Sequence, residues 1–115
     1  MNHNTIKWIS SLALGTMLCV SVSAQNAKFQ EGIKCYNKHQ YTEAKACFEE
    51  MAAAGHVAAT YNLGMLYFNG HHGVAKNEAK AVEYWQRAAE LGNLNALNEL
   101  AYCYKNGWGG LVADS

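Results

Sequence analysis

VAATYNLGMLYFNGHHGVAKN, residues 57–77, and LNALNELAYCYKNGWGGLVAD, residues 94–114, are one segment written twice. At a constant offset of 37, Ala59 answers Ala96, Leu63 answers Leu100, Tyr67 answers Tyr104, Gly70 answers Gly107 and Gly73 answers Gly110. The register continues backwards, with Ala44 on Ala81, Phe48 on Trp85 and Gly55 on Gly92. A period between 20 and 50 residues marks an array of stacked supersecondary units, each unable to bury its apolar face alone.

Each unit reads as two helices. In EAKAVEYWQRAAEL, residues 78–91, Ala81, Tyr84, Trp85, Ala88 and Ala89 recur at i, i+3, i+4, i+7 and i+8, the apolar stripe of one helix. Lys80, Glu83, Arg87 and Glu90 cover the other side, and Glu83 precedes Arg87 by the favourable four residues. Asn77 suits the N-cap and Gly92 the C-terminal stop. The helix before it, 57–69, is apolar over a wide arc, as a helix packed between neighbours must be. Gly64, where the third unit has Ala101, leaves room for two helix axes to approach. The expected helices fall near 27–38, 42–54, 57–69, 78–91 and 94–106. The fold class is all-α, an α-solenoid with units near 27–55, 56–92 and 93–115, the last incomplete. Asp114 stands where Asn77 stands, so the array is either capped by its last helix or breaks off there.

Composition narrows the function. Half of the 115 residues are apolar, 16% are charged, and nine Lys+Arg balance nine Asp+Glu. A neutral chain has no basic excess to hold a nucleic-acid backbone, and none is expected as a partner. The opening 24 residues carry one charged side chain, Lys7, then an apolar run from Trp8 to Val22, then the small residues Val22-Ser23-Ala24. That is the layout of a secretory signal peptide cleaved after Ala24, leaving residues 25–115 as an exported chain with no membrane span.

Export permits disulfides. Cys19 departs with the leader, and Cys35, Cys47 and Cys103 remain. Cys35 and Cys47 lie six residues either side of Tyr41, near the first turn, and are the expected bridge, with Cys103 a free buried thiol. Catalytic chemistry is sparse. Ser115 is the only serine after cleavage, so a buried serine nucleophile is excluded from the mature chain. Cys35 and His39 share a helix face but lack an orienting third group. His71-His72 reads as an exposed polar turn, not a metal site. No cofactor is expected.

The motif A-x-x-x-L-G-x-x-Y-x-x-G from Ala59, then Gly73-Val74, then K-A-V-E-Y-W-x-x-A-A-x-x-G from Lys80, resembles the Sel-1-like repeat of the tetratricopeptide class, with one extra residue in the glycine turn. Residues 29–55, through Gly32, Tyr41, Ala44 and Phe48, resemble the plainer tetratricopeptide unit. The resemblance implies a non-enzymatic module that binds proteins or peptides on its concave side. It also brings an alternative, a small hydrolase or β-lactam-interacting protein of the family's cysteine-rich branch. The three cysteines do not recur at the 37-residue period, which weighs against that branch.

Carried across from the tetratricopeptide groove, the concave positions are Phe29, Ile33 and Tyr36 in the first unit. They are Tyr61, Met65 and Phe68 in the second, and Asn98, Tyr102 and Lys105 in the third. They either line an apolar groove or are buried between repeats. Phe48, Trp85, Tyr67 and Tyr104 occupy repeated positions and are expected in the core.

Overall fold

A computed structural model describes residues 22–110, which include five α-helices: α1 (Val22–Asn37), α2 (Tyr41–Ala53), α3 (Val57–Asn69), α4 (Glu78–Glu90) and α5 (Leu94–Asn106). A 3-10 turn, Trp108–Gly110, follows. Most of the expected leader, and Leu111 and Asp114 at the other end, lie outside the described residues. The helices pack in chain order, α1 on α2, α2 on α3, α3 on α4 and α4 on α5, which is an α-solenoid.

The helix ends follow from local chemistry. His56, Asn77 and Asn93 each precede a helix and accept a backbone N–H three residues on: Ala59 at 3.1 Å, Lys80 at 3.0 Å and Ala96 at 2.7 Å. The links from α2 to α3 and from α4 to α5 are the same turn, closed at Gly55 (φ 88°) and Gly92 (φ 96°), where a side chain would strain the backbone. α1 starts at Val22, five residues earlier than its sequence pattern suggests.

Within each complete unit, an aromatic ring of the second helix lies over a glycine of the first. A Cβ on Gly32 would sit 2.8 Å from the Phe48 ring, and one on Gly64 would sit 2.5 Å from Trp85 Nε1. Phe48 and Trp85 are accordingly among the most deeply buried side chains. Around them Ala44, Met51, Ala59, Leu63, Leu66, Ala81, Val82, Ala88, Ala96, Leu100 and Cys103 form one continuous core.

Two expectations are corrected here. Tyr67 is buried, stacked on Tyr84 of α4 at 5.8 Å, but Tyr104 is 44% exposed, because no described helix stands beyond α5 to receive it. Cys35 and Cys47 are free thiols, so the expected bridge is not formed, and Cys103 is free and buried. The first turn occupies residues 38–40, so the two helices fold about His39, not Tyr41. That shift of two residues sets Cys47 level with Gly32, where a Cβ would lie 3.3 Å from the Cys47 Cβ, and leaves Cys35 about a turn further along.

Candidate functional site

The first helices α1 and α3 do not close on each other completely. Between them lies a recess of about 350 Å³, lined by Ile33, Tyr36 and Asn37 of α1 and by Tyr61, Asn62 and Met65 of α3, with the Phe48 ring of α2 also in its wall. Of the nine residues expected on the concave side, Ile33, Tyr36, Tyr61 and Met65 meet here. All four are partly buried and pack on the core while keeping an open face. These four side chains thus pack between the repeats and also line the recess.

Tyr61 is the most constrained of them. Its hydroxyl donates to Glu99 Oε1 at 3.4 Å, and its backbone carbonyl accepts from Trp85 Nε1 at 3.2 Å. Burial first, and the Glu99 carboxylate second, push its phenol above the ordinary value, so it stays a neutral donor.

The other expected groove residues are placed differently. Phe29 stacks on the His56 ring at 4.8 Å and packs on Phe48 at 5.9 Å. Phe68 sits between Trp85 (5.2 Å) and Trp108 (5.5 Å). Tyr102 is 65% exposed and lies parallel to Trp108 at 6.4 Å, while Asn98 and Lys105 are exposed. These expected groove residues thus divide between an open recess at the first two units and an exposed aromatic pair, Tyr102 and Trp108, at the third.

Asn37 and Asn62 are the lining residues that sequence reasoning missed. Each follows a groove tyrosine directly and lies three or four residues from another groove residue, Ile33 or Met65. A stripe drawn one residue wider would have included both. They supply amide donors and acceptors, and no charged side chain lines the recess.

The histidine turn also differs from expectation. His72 is exposed, but His71 is tucked against the first unit, stacked on Tyr41 at 4.1 Å and edge-on to Tyr36 at 5.6 Å. Its backbone pairs with Val74 in both directions. Trp108, 37 residues on, stands against Phe68 as His71 stands against Tyr36. His39 turns its Nδ1 to the Tyr41 hydroxyl at 2.6 Å, a geometry that commits the ring to Tyr41 and not to the Cys35 thiol. Among the described residues, no group of three or more His, Cys, Asp and Glu side chains is placed to hold a metal ion. Nor is any described helix long and apolar enough to cross a membrane.

Comparison with known proteins matches the Sel1 repeat to residues 29–56, 57–93 and 94–115, so the first unit matches the same repeat as the other two and not only a plainer one. The F-box protein At5g50450 of Arabidopsis thaliana is 31% identical over 106 residues, which cover 90% of this chain and 32% of that protein. The F-box protein At1g67340 of the same plant is 32% identical over 95 residues, covering 79% of this chain and 25% of that protein. The chain therefore spans a third or less of the length of these relatives. A Sel1 repeat protein from Oxalobacter formigenes, known from its crystal structure, has a TM-score of 0.69 at 24% identity, covering 92% of this chain and 80% of that one, and shares the fold.

Proposed function

Because this chain belongs to the Sel1 repeat family, we propose that it is an exported, non-catalytic adaptor that binds a protein or peptide partner in the recess between α1 and α3. Proteins built of Sel1 repeats are typically interaction scaffolds, and this one offers a place for a partner to seat. The observation that carries the reading is the recess of about 350 Å³ with an apolar floor and two amides, Asn37 and Asn62, on its wall. An uncharged pocket of that kind suits one large apolar side chain, while the amides can pair with the peptide bonds on either side of it. Export rests on the leader-like residues 1–24.

The test is selection of binding peptides from a displayed random library, followed by affinity measurement on variants. Tyr61→Ala and Met65→Ala are expected to weaken the selected peptides by roughly 30-fold, the effect of losing an interface anchor. Leu91→Ala, on an exposed turn, is expected to leave them unchanged. Peptides whose affinity ignores Tyr61 and Met65 would overturn the assignment of the recess.

A further inference from the structure

The first two units are built alike but not filled alike. The link from α1 to α2 spans residues 38–40 and that from α3 to α4 spans 70–77, so Gly32 stands where Gly64 stands and Tyr36 where Phe68 stands. In the second unit the two rings meet. Trp85 sits over Gly64 by its Nε1 and Cδ1 edge and still reaches Phe68, at 5.2 Å. In the first unit a phenyl takes the place of the indole. Phe48 sits over Gly32 by Cε1 and Cδ1, and its ring partner is Phe29 at 5.9 Å. Tyr36 packs on Tyr41 and His71. Phe48 and Tyr36 both face the recess.

We propose, resting on the recess as the partner's seat, that it takes an aromatic side chain of the partner, an indole before any other, and that Phe48 is the residue that selects for it. The recess is continuous with the interface between the units, and a ring entering it joins Phe48 to Tyr36 as Trp85 joins Phe68 from within the chain. Tyr36 and Tyr61 offer ring faces and edges, and Met65 a thioether, all favourable partners for an aromatic ring. The amide oxygens of Asn37 and Asn62 can accept an indole N–H, as the Tyr61 carbonyl accepts that of Trp85. No charged side chain lines the recess, so a neutral ring matches it and an ammonium or carboxylate does not. At about 350 Å³ it has room for the ring and for part of the backbone that carries it.

The probes are N-acetyl-tryptophanamide and N-acetyl-leucinamide, titrated into the 15N-labelled protein isolated from its own cells and followed by backbone amide shifts. The tryptophan amide is expected to shift Asn37, Asn62 and Met65, and the leucine amide to bind there at least about 10-fold more weakly. Phe48→Trp supplies the missing ring from within. It should keep the helical circular dichroism and lose the tryptophan amide's shifts at these three residues. The comparison of the two amides is made on the parent chain and does not depend on how the variant folds. Equal binding of both amides in the recess would overturn the aromatic preference and leave the recess standing as a seat. Shifts that avoid the recess with both amides would overturn the seat as well. A Phe48→Trp chain, folded as the parent is, that still binds the tryptophan amide unchanged would overturn the role given to Phe48.

Discussion

The indole Nε1 of Trp85 donates a hydrogen bond to the backbone carbonyl of Tyr61 at 3.2 Å. A core side chain of α4 thereby fixes the height of a groove residue on α3, and stability and binding meet at one contact. Trp85→Ala should remove about 3–5 kcal/mol of unfolding free energy. Trp85→Phe keeps most of the apolar contact and should lose much less, on the order of 1–2 kcal/mol for the bond and the missing ring volume. Urea denaturation measures both.

Gly64 offers the complementary test. A helix-interior Gly→Ala change ordinarily stabilises by about 1 kcal/mol. Here the added methyl would lie 2.5 Å from Trp85 Nε1 and 3.1 Å from Trp85 Cε2, atoms of a rigid and fully buried ring. Overpacking of that kind costs roughly 1–3 kcal/mol, so Gly64→Ala should be destabilising on balance. A higher melting temperature than the parent would contradict the packing described.

His56 makes stability depend on pH. Burial holds its imidazole below the ordinary value of 6.5, and its Nδ1 must be unprotonated to accept the Ala59 N–H. The unfolded chain therefore takes up a proton more readily than the folded one. The contribution is present above about pH 6.5 and is lost as pH falls through the lower folded value. Thermal melts between about pH 7.5 and 5 should show this loss, and His56→Asn, which caps without titrating, should flatten it, the cap being worth about 1 kcal/mol.

The thiols should all react once the protein is unfolded. In the native state Cys47 is raised above the ordinary 9.0, by burial first and by neighbouring Cys35 second, and burial likewise raises Cys103. Native alkylation at both should be slow at neutral pH and should climb through and beyond pH 9 as the thiolates form. A peptide map showing Cys35 joined to Cys47 in untreated protein would contradict the helix register that sets Cys47 beside Gly32.

The two groove tyrosines should behave differently in folding. Tyr102→Ala, at a position 65% exposed, should change the melting temperature little, whereas Tyr61→Ala removes a half-buried ring and should cost about 1–2 kcal/mol. Equal losses would mean that the third unit is closed by something that covers Tyr102.

Most of the helical frame was legible because its signals are local. Helices 57–69 and 94–106 fall where their repeats place them, and the cap at Asn77 is the one its position suggests. The groove was legible only in part. Ile33, Tyr36, Tyr61 and Met65 converge because two complete units flank them, but no pattern in one helix reveals how far its neighbour is rotated. That rotation is set by a ring seated on a glycine, a contact between helices. The missing bridge has a related cause. Two residues of error in the centre of the first turn moved the partner of Cys47 from Gly32 to Cys35. Tyr104 broke from its repeat-mate Tyr67 because periodicity specifies a position without specifying what stands beyond it.

The joint between successive units is used twice, with His71 lodged against Tyr36 and Trp108 against Phe68. A coupling that tolerates either an imidazole or an indole in the same seat is an interchangeable fitting. A further 37-residue cassette added beyond α5 would need a matching fit only at the one joint it makes. It would lengthen the array by one fixed step and leave the recess between α1 and α3 as it was, whereas loss of 57–93 would take α3, and the recess with it.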